Sequence, residues 1–201
     1  MKNRDKMKIF TTNIIGGKYK GKKIEIPDIN TTRGSKSILR ESLFNSLQFD
    51  VIDKNFVEVF GGSGSIGLEA ISRGVKRAFF IEKNRVVYNT LLKNIKSIDS
   101  SKAISIYGDS FEKFDIILEE IKRDNTPTYF YFDPPFSTRD GMDDIYDKTL
   151  ELISKIDIAT CEMVIIEHMT KLDFPKELGE LKLVKKKKFG RSTISYFAKE
   201  D

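Results

Sequence analysis

The chain has 201 residues, 39% of them hydrophobic, with 35 Lys and Arg against 30 Asp and Glu and a formal net charge of +5. That length suits one compact domain with a small appendage, and no apolar run approaches the ~18 residues of a membrane-spanning helix. Cys161 and His168 are the only residues of their types, which excludes an internal disulfide and a Cys/His-ligated zinc site; with no apolar segment in MKNRDKMKIF to act as a secretory signal, the chain reads as cytoplasmic.

The charge is unevenly placed. Residues 1–40 hold 11 Lys/Arg and three acids (Asp5, Glu25, Asp28), a local +8, and the rest of the chain nets −3. A basic segment ahead of a near-neutral body fits an arm for nucleic acid, and equally a solvated tail. Within it, 14–27 (IIGGKYKGKKIEIP) combines Gly-Gly punctuation with alternation at Ile24 and Ile26, which predicts a structured β-hairpin. After a polar connector over 30–36, Ser37 opens a helix with Leu39, Leu43, Phe44 and Leu47 on one face.

From Asn55 the pattern alternates strand and helix. Strands are predicted at 55–60 (NFVEVF), 78–81 (AFFI), 103–107 (AISIY), 128–132 (TYFYF) and 163–167, with helices at 66–73, from Asn84 (Val87, Leu91 and Ile95 in an i, i+4 row), at 111–122 and at 143–156. The tail 181–199 alternates around Phe189-Gly190-Arg191 and predicts a closing hairpin. The expected fold class is α/β: a mostly parallel sheet with helices on both faces, made mixed by the antiparallel hairpin. In such sheets ligands bind beyond the carboxyl ends of the strands, near the point where strand order reverses.

Four strand ends carry suggestive residues. The first runs into Gly61-Gly62-Ser63-Gly64-Ser65-Ile66-Gly67, a G-x-G-x-x-G turn able to bring backbone N–H groups to a ligand at a helix N-terminus. Glu82 ends the second strand 20 residues after Gly62, where a carboxylate can accept from both ribose hydroxyls; the pair indicates an adenosine-containing cofactor without choosing one. Asp109-Ser110 after the third strand could meet an adenine amine or simply cap the next helix. After the fourth, Asp133-Pro134-Pro135-Phe136 offers acceptors on a stiff, extended turn beside an aromatic face. That combination suits a planar group bearing an NH₂. A plain strand-ending turn has the same pattern.

Asp133-Pro134-Pro135-Phe136 resembles motif IV of class I S-adenosylmethionine-dependent methyltransferases acting on exocyclic amines, and the glycine turn resembles their motif I. With Ile14–Lys23 (IIGGKYKGKK), Thr32-Arg33, Arg40–Asn45 (RESLFN) and Phe60–Ala70 (FGGSGSIGLEA) in the same order, the chain is similar to the RsmD-type 16S rRNA guanine-N2 methyltransferases. It departs from them at Gly34, Glu58, Gly61 and Asn84, where the family usually has Pro, Asp, Ala and Asp.

The resemblance implies a Rossmann-like class I methyltransferase with a seven-stranded sheet over residues 51–201, preceded by an RNA-binding extension of hairpin and helix over residues 1–50. It implies cofactor binding by Glu58, Gly61, Gly62, Gly64, Glu82, Lys83, Asp109 and Ser110, and target-amine binding by Asp133, Pro134, Pro135 and Phe136. Lys18, Lys20, Lys22, Lys23, Arg33 and Arg40 would hold RNA phosphates. No metal is expected. The partner would be ribosomal RNA, within a small-subunit assembly particle, and the enzyme a monomer without membrane attachment. The rival readings are a DNA adenine-N6 or cytosine-N4 methyltransferase, which motif IV alone permits, and a nicotinamide oxidoreductase, which the glycine turn with Glu82 permits. His168 is expected in the core or at the rim, without a chemical role.

Overall fold

The computed structural model describes residues 9–27, 33–135, 144–172 and 174–200, with residues 33–35 described by backbone alone. Strands β1 (Ile9–Asn13) and β2 (Lys23–Pro27) pair antiparallel as a two-stranded sheet. Helix α1 (Arg33–Leu47) follows, then β3 (Asn55–Glu58), α2 (Ser65–Ser72), β4 (Arg77–Glu82), α3 (Arg85–Ile98), β5 (Ala103–Tyr107), α4 (Ser110–Asp124), β6 (Thr128–Phe132), α5 (Ile145–Ser154) and β7 (Cys161–Met169). The chain closes with β8 (Glu177–Leu178), β9 (Leu181–Phe189) and β10 (Ser192–Ala198).

The main sheet has the order β5-β4-β3-β6-β7-β10-β9-β8. Strands β3 to β7 are parallel, and β10, β9 and β8 extend the sheet antiparallel. Among the described residues it therefore has eight strands, one more than the expected seven. The eighth, β8, is a two-residue edge strand with no periodicity for a sequence reading to find. Beyond it the rest of β9 is an open edge whose lysines, Lys185 to Lys188, guard against strand addition. Lys187 also donates to Ser42 Oγ of α1 at 2.9 Å.

Alternation along the strands explains the two cores. In β6, Tyr129 and Tyr131 point to one face and Phe130 and Phe132 to the other, and all are buried. The first face packs on α1, α2 and α3 through Leu39, Leu43, Phe44, Leu68, Ile71 and Leu91; the second packs on α4 and α5 through Phe114, Ile117, Leu152 and Ile153. Ile14 and Ile24 of the hairpin segment and four residues of α1 belong to the same cluster as Phe56 of β3. The expected extension over residues 1–50 thus shares the core of the body.

The hairpin is displaced from its expected position. The paired strands lie at 9–13 and 23–27, and residues 14–22 form a long loop between them. That loop docks on the end of α2: Lys18 N donates to Ser72 O at 2.7 Å and Tyr19 N to Ser72 Oγ at 2.9 Å. At Gly17, φ is +74° and a Cβ would sit 1.9 Å from Ser72 O, so only glycine allows this approach.

Candidate active site

The order of strands reverses between β3 and β6, and the crevice lies above their carboxyl ends. Glu58 ends β3 and is paired with Tyr131 of β6; two residues further on, Asp133 follows β6. On the next strand, Phe132 pairs with Ile166, which brings Asp133 beside Glu167 of β7. Phe56, Tyr131 and Ile165 face α1, so the alternation turns Glu58, Asp133 and Glu167 the same way. Three neighbouring strands therefore deliver three carboxylates to one cleft.

That cleft has a volume of about 240 Å³. Its floor is Glu58, Phe60, Gly61, Gly62, Tyr131, Asp133 and Glu167, and its other wall comes from Phe10, Thr11 and Thr12 of β1, Ile26 and Pro27 of β2, and Lys36, Ser37 and Arg40 of α1. The N-terminal hairpin thus closes one side of the site.

Glu58 is 4% exposed, and its carboxylate accepts from Gly67 N at 2.8 Å and Ile66 N at 3.4 Å, at the N-terminus of α2. Burial nevertheless pushes its carboxyl up to about 8, because those two N–H groups and Lys36 only partly offset desolvation while the charge of Asp133 adds to it. Asp133 is half-buried, with Oδ2 accepting from Lys36 Nζ at 2.8 Å. Glu167 is 2% exposed, and Tyr131 OH donates to its Oε2 at 2.8 Å. Its carboxyl is raised first by burial and then by the charge of Asp133.

The glycine turn is held from the side by Glu82, whose Oε2 accepts from Gly62 N at 2.9 Å and whose Oε1 accepts from Asn84 N at 2.6 Å. Each oxygen keeps a second lone pair for a ribose hydroxyl. Gly61 and Gly62 line the cleft, whereas Gly64, at φ +79°, caps α2 with its missing Cβ only 2.5 Å from Leu91 Cδ1. Gly64 is accordingly a packing residue and does not line the cleft. Asp109 caps α4, its Oδ1 accepting from Phe111 N at 3.0 Å and its Oδ2 from Lys83 Nζ at 3.2 Å. Ser110 is a correction: its hydroxyl donates to Val59 O at 2.6 Å in a buried position, so it ties α4 to the end of β3 and does not face a ligand. Glu82, Lys83 and Asp109 lie outside the cleft lining, over the ends of β4 and β5. Phe136 falls outside the described residues, as does the side chain of Arg33.

Arg40 is a second correction. Its side chain is buried, donating from Nη2 to Asn13 O at 2.7 Å and to Thr12 Oγ1 at 3.3 Å, with Glu69 3.8 Å from Nε. It joins α1 to β1 and cannot hold a phosphate at the surface. Lys18, Lys20, Lys22 and Lys23 are exposed. The loop bearing the first three is bound to the far end of α2 at Ser72, and Lys22 Nζ donates to Ser97 O near the end of α3. At 1.5 Å per residue, α2 places that loop roughly 12 Å from the glycine turn.

Sequence reasoning missed Glu167, Tyr131, Lys36 and the β1–β2 wall. It also missed Asn94, a buried side chain of α3 whose Nδ2 donates to Ser63 O at 2.9 Å and Glu25 O at 2.8 Å while Oδ1 accepts from Glu25 N at 2.8 Å, so it ties hairpin to glycine turn. His168, without a role in the site, lies in the core with its ring stacked on Phe174 and Nε2 against Ser195 Oγ. Among the described residues no group of three or more His, Cys, Asp or Glu could hold a metal ion, and no helix is long and apolar enough to cross a membrane.

Sheet order, the glycine turn over β3 and an acid corner over β6 define the class: a methyltransferase of Rossmann-like fold. The chain belongs to the family described as conserved hypothetical protein 95, which matches residues 12–198. It is 23% identical to YlbH of Bacillus subtilis over 190 residues, 92% of this chain and 98% of that protein. It is 34% identical to ribosomal RNA small subunit methyltransferase D of Escherichia coli K12 over 124 residues, a stretch covering 61% of this chain and only 59% of the relative. The structure of yhhF from Escherichia coli superposes with a TM-score of 0.75 at 26% identity, covering 95% of this chain and 99% of the other.

The residues present fit the cofactor. Among the described residues no cation lies within ion-pair distance of the buried Glu58 carboxylate, a place the ammonium of the methionine moiety would take, and a Cβ at Gly62 would meet nothing within 4 Å, which leaves open space at the turn. A stability test follows from the sign of the Glu58 shift. Because the folded carboxyl, at about 8, binds its proton more tightly than the unfolded one, stability falls as pH rises from the ordinary glutamate range to about 8 and is level above. Glu58→Gln removes that titration. Its unfolding free energy should match wild type near pH 5 and exceed it by at least about 1 kcal/mol at pH 8.5. Protection by S-adenosylhomocysteine should fall in the same variant. Parallel pH curves for the two proteins would contradict the burial argument.

Proposed function

We propose that this chain transfers a methyl group from S-adenosylmethionine to the exocyclic N2 amine of a guanine in small-subunit ribosomal RNA. The observation that carries the proposal is the placement of Asp133 in the same cleft as Glu58 and the glycine turn, one strand apart across the reversal of strand order. The relatives named ribosomal RNA small subunit methyltransferase D support the RNA class, and the motif order supports guanine N2.

When bound, the cofactor supplies an electrophilic methyl on a sulfonium. A guanine N2 amine is a poor nucleophile because its lone pair is delocalised into the ring. Asp133 and the Pro134 carbonyl accept its two N–H groups on a backbone stiffened by Pro134 and Pro135, which turns lone-pair density toward the donor. With Oδ2 of Asp133 already taken by Lys36, Oδ1 is the oxygen left to the amine. Fixed acceptors in a largely buried cleft need no reorganisation as charge moves. Phe136 would stack on the base. The base must leave its stack to enter, at a cost of a few kcal/mol, which favours unpaired RNA.

Glu82 and Asp109 would hold ribose and adenine, with Lys83 beside Asp109. Lys18, Lys20, Lys22 and Lys23 would meet phosphates away from the target nucleotide, so the RNA would follow the hairpin from its loop to the cleft. The enzyme would act in the cytoplasm, as a monomer, on an assembling small subunit.

The test is incubation of the protein and methyl-labelled S-adenosylmethionine with undermethylated small subunits, the same rRNA free in solution, and DNA oligonucleotides, with products digested and resolved by mass spectrometry. N2-methylguanosine at one rRNA position is the expected product. Label only in N6-methyladenine or N4-methylcytosine of DNA would replace the proposal with its rival.

A further inference from the structure

One acid in the cleft has no part in the scheme above. Glu167 lies beside Asp133 on the adjacent strand, is 2% exposed, and lines the same cavity. A buried carboxylate is expensive to keep unless it is paired or used. Two neutral hydroxyls hydrogen-bond to Glu167: Tyr131, whose OH donates to Oε2 at 2.8 Å, and Ser192 of β10; two oxygens with about four lone-pair sites still leave acceptor capacity on the carboxylate. Lys36, whose charge acts on Glu167, bonds to Asp133 instead.

The chemistry of bases says what such a pair can read. Guanine carries two adjacent donors on its Watson–Crick edge, N1–H and N2–H₂. Adenine and cytosine set their amine next to a ring nitrogen that accepts. Two neighbouring carboxylates, when both are ionised, offer acceptors only, so they complement the first edge and repel the second. We propose that Glu167 is the residue that selects guanine, its carboxylate accepting N1–H while Asp133 accepts from the N2 amine. This rests on the guanine-N2 reading and adds a specificity residue to it. Burial first, and then repulsion from Asp133, raises the carboxyl of Glu167, and that repulsion is relieved when donors enter between the two. Tyr131 holds the Glu167 carboxylate in one rotamer, so the acceptor is fixed before the base arrives.

The test uses 2-aminopurine, which keeps the 2-amine but presents a bare N1 acceptor. Small-subunit rRNA carrying guanine or 2-aminopurine at the mapped position is reconstituted into subunits, and kcat/KM is measured for wild type and Glu167→Gln. Wild type should prefer guanine by up to ~10⁴-fold, the discrimination a buried hydrogen-bonding site reaches against an analogue lacking the donor. In Glu167→Gln the amide can donate to N1, and the ratio should collapse to within about tenfold. A merely structural role would lower both rates and leave the ratio where it was. An unchanged ratio, or a wild type that accepts both bases alike, overturns the inference while leaving the guanine-N2 reading intact. Wild-type failure on the guanine substrate removes both. Should Glu167→Gln turn over neither base, the same ratio is read from equilibrium binding of the two RNAs with S-adenosylhomocysteine present, in Glu167→Gln and Glu167→Ala, and its persistence equally overturns the inference.

Discussion

Asp133→Ala is expected to lower kcat for methyl transfer by ~10²–10⁴-fold while the folded protein and its cofactor affinity survive. The activity loss follows from removal of the acceptor that orients the amine. The survival of the fold follows from exposure: the Lys36–Asp133 bridge has side chains 47% and 24% exposed, and a pair of that kind contributes about 0–1 kcal/mol. Cofactor binding should hold or tighten. The charge of Asp133 is one of the influences raising the carboxyl of Glu58, so its removal makes Glu58 a better partner for an ammonium. Two measurements decide the matter: single-turnover methyl transfer, and the shift of the thermal midpoint on adding S-adenosylhomocysteine. Turnover near wild type would take Asp133 out of the reaction. Loss of the thermal shift together with activity would make it a structural or cofactor residue instead.

What sequence could and could not supply divides along physical lines. The bounds of β5 and β6 were legible to the residue because AISIY and TYFYF are short apolar runs closed by Gly-Asp and Asp-Pro-Pro. Asp133 at the end of β6 was legible because it forms part of that stop, whereas Glu58, two residues inside the strand expected at 55–60, entered only through the family resemblance. Glu167 closes the strand expected at 163–167, but no glycine or proline follows it and β7 runs on through His168 and Met169, so nothing local marks the chain's arrival at a site. Arg40 shows the converse failure. A formal charge carries no sign of burial, and only the fold shows that its guanidinium faces Glu69 and the β1 backbone. Asn94 and Glu69 act on residues 53 to 69 positions away in the chain, beyond any periodicity. The lysines of the hairpin loop were visible as charge, but their place at the far end of α2 depended on Gly17 accepting the Ser72 carbonyl at close range.

Glu69 is where the largest stability effect is expected. It is fully buried in α2, and its two oxygens accept from Ile15 N at 2.7 Å, Gly16 N at 2.8 Å and Arg73 Nε at 2.9 Å, with Arg40 facing it as well. One carboxylate thus anchors the hairpin segment, α1 and the end of α2. Glu69→Ala leaves the buried Arg40 guanidinium without its counter-charge and two backbone donors without acceptors, a change that costs ~3–5 kcal/mol. Denaturant unfolding measures the total. Amide exchange at Ile15 and Gly16 locates it, because those two N–H groups should lose protection before the parallel strands do. The consequence reaches the active site, since Phe10, Thr11 and Thr12 lie on the strand just before the anchored residues and form one wall of the cleft. Conditions that keep the variant folded should therefore show a raised KM for RNA with S-adenosylhomocysteine protection less affected, since Glu58, Gly62 and Glu82 belong to the other wall and the adjoining strands. A loss below about 1 kcal/mol with native exchange at Ile15 and Gly16 would mean that the hairpin is held by its apolar residues, Ile14 and Ile24, and that the buried charge is incidental.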